Sequence, residues 1–229
     1  EMLKIVTPAV RAIDPLAQVW IGGLLLASPN TIDDHIGQPE DFFRGILEAG
    51  AGHYIDGVAY HAYTHYISLR QDGDIYYEDA QGILIWEDWG GIIRGKGRFL
   101  RSIMDQYNIS IPLYITETSQ FCSWCLDYHI PALYDMQANL VPRSFPRAMQ
   151  DGISGFIWYT LPENFWRYCS LLDQSMLPKP AYLSYQTFME MVSDAVLVGP
   201  AVYGDGIEAY TFINLAERTD IIFMIDDVT

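Results

Sequence analysis

The chain has 229 residues, half of them hydrophobic, with 13 Lys and Arg against 29 Asp and Glu and a formal charge of −16. That suits one large globular domain, or one domain and part of a second. Such acidity disfavours nucleic acid or an anionic membrane as partner and favours a neutral one, and no apolar run approaches the roughly 18 residues that span a bilayer.

The opening, EMLKIVTPAVRAIDP, reads as the inside of a helix, with Leu3, Val6, Val10 and Ile13 on one face; it has no initiator Met and shows no leader. Four units of strand followed by helix come next, the usual sign of a parallel sheet covered by helices. QVWIGGLLLA (18–27) is a buried strand, PEDFFRGILEAG (39–50) a helix ending at Gly50, and YIDGVAYHAY (54–63) the second strand. A long loop, 64–90, leads to a helical stripe of Phe99, Leu100, Ile103, Met104 and Tyr107, and IPLYITE (111–117) is the third strand. Pro142 and Pro146 lie inside the next helix, about 131–150. At about 3 kcal/mol each in a helix interior, they predict a kink or two short helices. ISGFIWYTL (153–161) is the fourth strand, and Tyr182, Tyr185, Phe188, Met189 and Val192 mark a closing helix. From Ala195 the pattern changes to short alternating segments, AVLVGPAVY, IEAYTFIN and DIIFMIDDV, the start of a separate β domain of three strands, marginal on its own. There is no low-complexity linker and no short-period repeat.

If the four units belong to a βα barrel, the strand C-termini form one rim where side chains converge. The strand ends supply His61 and Tyr63, then Glu117 and Thr118, then Trp158 and Tyr159. A carboxylate can attack or stabilise an anomeric centre, an indole offers a flat apolar face to a sugar ring, and His61 and Tyr63 can hold Glu117 ionised by donating to it. Each residue also has an ordinary reading: a polar strand end for Glu117, a satisfied half-buried histidine for His61, core packing for Trp158. Their joint placement at successive strand ends is what points to chemistry.

YIDGVAYHAY, LYITETS, GISGFIWYTL and PKPAYLSYQTF together resemble the last strands and closing helix of a TIM-barrel retaining glycoside hydrolase of the two-glutamate clan, family-39-like or cellulase-like. The resemblance covers about residues 1–194 and implies the C-terminal half of a (β/α)8 barrel, about strands 5–8, followed by a partial β domain over 195–229. It implies that Glu117 is similar to the nucleophile at the end of the seventh strand. His61 and Tyr63 match sixth-strand positions, and Trp158 matches the eighth-strand sugar platform. Asn164 and Trp166, in ENFWRYCSLLD, follow closely enough to add hydrogen bonding and stacking.

The departure is that the clan's acid/base Glu, after an Asn on the fourth strand, has no counterpart here, and Glu1 is no substitute. Two other carboxylates sit on loops expected at the mouth, Glu87 in ILIWEDWGG and Glu163 in LPENFW, where a solvated or sugar-contacting role is the ordinary reading. Tyr66, Tyr76, Tyr77, Trp86 and Trp89 in the 64–90 loop either line subsites or pack the loop. Cys122, Cys125, His129 and Cys169 make half of a zinc motif; a local disulfide, or two reduced cysteines packing a loop, competes with it, and no metal or organic cofactor is expected. The leading expectation is an O-glycoside hydrolase acting on an oligosaccharide or glycoside, and its rival a non-catalytic carbohydrate-binding or inactive barrel remnant. A half barrel leaves strands 18–27 and 153–161 as open edges, which predicts self-association or pairing with a missing N-terminal half.

Overall fold

The computed structural model describes residues 1–26, 39–66, 86–122, 124–127, 130–163 and 166–224. Helices and strands alternate: α1 (Met2–Ile13), β1 (Trp20–Leu24), α2 (Pro39–Glu48), β2 (Gly57–His65), α3 (Ile92–Gln106), β3 (Leu113–Phe121), α4 (Ile130–Gln150), β4 (Ile153–Trp158) and α5 (Pro180–Val192). The strands form one parallel sheet in the order β1-β2-β3-β4, the sequential order of a partial (β/α)8 barrel. Strands β5 (Val196–Pro200), β6 (Ile207–Ile213) and β7 (Arg218–Met224) follow as a small antiparallel sheet.

Helix α3 shows how the helical layer is held. Its apolar face buries Ile92, Ile93, Phe99, Leu100, Ile103 and Met104 in the same core as Val58, Tyr60, Leu113 and Ile115 of the strands. Each such side chain contributes about 1.5–3 kcal/mol by leaving water. Gly97 sets the approach: a Cβ there would stand 2.7 Å from Ile153 Cδ1 and 2.8 Å from the Tyr60 hydroxyl. That hydroxyl is itself held, donating to Ile93 O at 2.9 Å.

The two prolines do not divide α4, which runs as one helix through Pro142 and Pro146 instead of as two short helices. Tertiary packing outweighs the local cost. Val141, Phe145, Pro146 and Ala148 are buried, while Arg143 donates to Met224 O at 3.0 Å and Arg147 Nε to Glu208 Oε1 at 2.8 Å, both in the small sheet. Tyr210 and Phe212 of that sheet share the main core, with Phe212 edge-on to Phe188 of α5 at 6.1 Å.

The apolar stripe read on α1 is mostly unburied: Val6, Val10 and Ile13 are exposed and Leu3 is only half-buried. The buried residue is Thr7, whose hydroxyl donates to Tyr54 O at 2.9 Å, and Arg11 pairs with Asp56 at 2.6 Å. The outer strands of the described sheet, β1 and β4, carry exposed Trp20 and Ile157.

Candidate active site

Side chains of a strand alternate between faces, so the β2 pattern assigns them. Val58, Tyr60, Ala62 and Thr64 are fully buried on the helix side, while His61, Tyr63 and His65 are half-buried on the other. On β3, Leu113 and Ile115 are buried in the core with Tyr60, and strict alternation would send Glu117 the same way. The register shows why it does not. Tyr60 pairs with Ile115 but His61 pairs with Glu117, so Thr116 is an extra residue, a β-bulge. The bulge turns Glu117 onto the face of His61, followed by Ser119 beside Tyr63 and Phe121 beside His65. Glu117 therefore lies within β3, which continues to Phe121, and not at its end.

The Tyr63 hydroxyl donates to Glu117 Oε2, and His61 Nδ1 lies 3.4 Å from the same oxygen. Among the described residues Oε1 has no partner. Burial, then the bond to Glu117 and its charge, push the Tyr63 phenol far up, so it stays a donor. Burial holds His61 below the ordinary histidine range; the Glu117 charge opposes this and Lys96 reinforces it. Gly23 of β1 leaves room for the ring, since a Cβ there would come 3.2 Å from His61 Nε2. Buried Lys96 donates to Leu25 O at 2.6 Å and to His61 O at 3.0 Å, tying β2 to the chain just past β1.

An aromatic wall stands beside this carboxylate. The Trp166 ring lies 5.1 Å from Tyr63, 5.6 Å from Tyr159 and 5.6 Å from Phe121, between centroids. The adjoining cavity, about 400 Å³, is lined by Tyr63, His65, Trp86, Trp166 and Arg167 among others. Burial, then the charges of Arg167 and Lys96, push His65 down to about 4. The structure thus brings together Glu117, His61, Tyr63 and Trp166 of the expected set.

Trp158 does not join them. It is paired with Thr118, is 7% exposed, and its indole N–H donates to Cys169 O at 2.9 Å. It borders Phe156, Tyr182 and Tyr185 instead, so the core-packing reading holds for it. Tyr159, one residue on, is the ring that meets Tyr63, at 6.2 Å. His65 and Phe121 were also missed, although alternation from Tyr63 and Glu117 reaches both. Asn164 lies outside the described residues.

Glu163 is not a solvated loop carboxylate: its side chain is only 8% exposed, lies 2.8 Å from Lys179 Nζ, and accepts from Ser170 at 2.6 Å. Glu87 is exposed in a short 3₁₀ turn, Glu87–Trp89. Trp86 and Trp89 pack on Phe99 at 5.8 and 5.5 Å and Tyr66 is buried, whereas Tyr76 and Tyr77 lie outside the described residues. Cys122 and Cys125 form a disulfide, with Cα atoms 5.6 Å apart, which settles the open choice against zinc at that pair. Cys169 is free and buried, its thiol pushed up to about 12 by burial, and His129 lies outside the described residues. Among the described residues no cluster of His, Cys, Asp and Glu is arranged to hold a metal, and no helix is long and apolar enough to cross a membrane.

Comparison of the sequence with protein-family models and with curated proteins finds no match. Solved structures do match. A family 39 glycoside hydrolase from the gut symbiont Bacteroides cellulosilyticus WH2 superposes with a TM-score of 0.67 at 19% identity, over 98% of this chain and 44% of that one. A glucosidase from Croceicoccus marinus gives 0.57 at 14% identity, over 92% and 42%. The family 51 arabinofuranosidase from Xanthomonas axonopodis pv. citri gives 0.53 at 12% identity, over 98% and 48%. The chain therefore spans less than half the length of these three neighbours. Its fold is a partial (β/α)8 barrel, of the type found in glycoside hydrolases of the two-glutamate TIM-barrel clan, followed by a small antiparallel sheet.

Proposed function

We propose that the chain is the C-terminal half of the catalytic barrel of a retaining O-glycoside hydrolase, residues 1–194, joined to part of an accessory β domain, 195–229, with Glu117 as nucleophile. One observation carries this reading: Tyr63 and His61 both engage Oε2, and Oε1 is left for the anomeric carbon. In the first step Oε1 bonds to that carbon as its bond to the leaving oxygen breaks. A second Glu, upstream of the chain, protonates the leaving oxygen. It then takes a proton from water, which attacks the same carbon and frees Glu117. Tyr63 and His61 orient the carboxylate, and Trp166 with Tyr159 flanks the sugar.

The exposed Trp20, Ile157 and α1 stripe support completion of the barrel by further strands or by a second copy. The substrate is an oligosaccharide or glycoside. The test needs no acid/base residue: incubation with 2,4-dinitrophenyl 2-deoxy-2-fluoro-glycosides, whose leaving group departs unaided, then peptide mass spectrometry. A glycosyl adduct on the peptide carrying Glu117, lost in Glu117→Gln, is the expected result. In the protein with a complete barrel the same change lowers kcat by roughly 10³-fold or more while ground-state binding persists. The binding-only reading draws on one observation, the engagement of Glu163 by Lys179 and Ser170, which removes a candidate second carboxylate from the chain. Sugar binding without an adduct, and unchanged in Glu117→Gln, would select it.

A further inference from the structure

The segment joining β4 to α5 carries Trp166 and Arg167 at its tip, and its flanks meet at a buried charged cluster that the proposed reaction does not use. Lys179 Nζ donates to Glu163 Oε2 at 2.8 Å and to Ser170 Oγ at 2.6 Å, while the Ser170 hydroxyl donates to the same Glu163 oxygen at 2.6 Å. Lys179 is 4% exposed and Ser170 is sealed. Glu163 precedes the tip and Ser170 follows it. Lys179 directly precedes Pro180, the first residue of α5, so its ammonium is anchored to a helix.

Apolar side chains of similar volume would hold these flanks at no greater cost, because a buried ion pair gains little over its desolvation. What the three mutual hydrogen bonds supply is a fixed distance between the flanks. The tip needs such a constraint: Arg167 and Tyr168 both have left-handed backbone, with φ of 53° and 63°, a conformation that L residues disfavour. The Arg167 guanidinium lies over Phe121 at 4.8 Å and over Trp166 at 5.2 Å, and the Arg167 carbonyl accepts from Cys122 N at 3.3 Å, so the tip meets the end of β3 through rings and backbone. We propose that Lys179 is a positioning residue: by clasping Glu163 to Ser170 it sets Trp166 against Tyr63, and so sets the aromatic wall beside Glu117. What the wall binds rests on the glycoside reading; the clasp does not.

The test is fluorine NMR of the chain labelled with 5-fluorotryptophan, the Trp166 line being assigned with Trp166→Phe. Lys179→Met is expected to move and broaden that line while the Trp20 and Trp86 lines stay in place. Lys179→Met/Glu163→Leu removes the stranded carboxylate. It is expected to recover the urea midpoint yet leave the Trp166 line displaced, which a purely stabilising role would not do. If Lys179→Met does not fold, the double variant carries the test alone. An unmoved Trp166 line in the double variant overturns the proposal. Titration with methyl β-D-xylopyranoside and methyl β-D-glucopyranoside separates the two readings. Silence of the wild-type Trp166 line to both sugars counts against the glycoside reading, while displacement in the variants still upholds the clasp.

Discussion

Replacing Glu208 by Ala tests how the small sheet is fastened to the barrel. Arg147 of α4 is 1% exposed, and its guanidinium reaches Glu208 through two nitrogens, Nε at 2.8 Å from Oε1 and Nη2 on Oε2. The Tyr210 hydroxyl also donates to Glu208 Oε1, at 2.7 Å. Deleting one partner of a buried pair costs about 3–5 kcal/mol, because the remaining charge stays desolvated. Partial exposure of the Glu208 side chain, 16%, lets water relieve some of this and favours the low end, about 3 kcal/mol. Arg147→Met/Glu208→Leu removes both charges and is expected to recover most of the loss. The assay is urea unfolding followed by far-ultraviolet circular dichroism, with hydrogen exchange at the β6 amides. All six tryptophans precede the small sheet, so their fluorescence reports the barrel separately. A Glu208→Ala loss below about 1 kcal/mol, or a double variant as unstable as the single one, would refute the reasoning.

Gly97→Ala should gain about 1 kcal/mol of helix propensity but lose about 1–3 kcal/mol to overpacking against Ile153 and the held Tyr60 hydroxyl. The expected outcome is net destabilisation in urea, and a stabilised variant would show that the approach relaxes freely. Folding holds His65 near 4, below the ordinary 6.5, so between those values the unfolded chain binds more protons and stability falls as pH drops. The ceiling on that loss is about 3 kcal/mol. Comparing urea midpoints of wild type and His65→Gln at pH 7 and pH 4.5 isolates it, and equal pH dependence in both would count against a buried neutral ring.

The fold was largely legible because it rests on apolar runs that alternate with amphipathic stretches. IPLYITE and the Phe99 to Met104 stripe both mark elements that exist. Pro142 and Pro146 do not split α4, because local propensity leaves out the packing that keeps the helix continuous through them. The α1 stripe marks a helix that exists, but periodicity does not say what covers a face. At the site, Glu117, His61 and Tyr63 were found as strand-end polar residues. Trp158 was chosen over Tyr159 because an indole is the better platform. Only the pairing of Trp158 with Thr118, on the helix side, decides between two adjacent rings. The role of Glu163 was invisible for a similar reason, since its partner Lys179 lies 16 residues away across a loop.

The extra residue at Thr116 makes the site depend on how β3 is paired more than on which residues it carries. Pairing Thr116 with His61, as an unbulged strand would, turns the downstream segment by one step, sending Glu117, Ser119 and Phe121 into the helical layer and bringing Thr118 and Gln120 to the face of His61 and Tyr63. The same residues would still be encoded, in unchanged order, and Glu117 would no longer face His61 and Tyr63. Removing Thr116 itself would leave Ile115 opposite Tyr60 and Glu117 opposite His61 in plain alternation, so loss of that one codon is expected to keep the facing of Glu117 that loss of the bulge alone would reverse. Any alignment that matches β3 to another barrel by its apolar rhythm alone will be one position out from Glu117 onward.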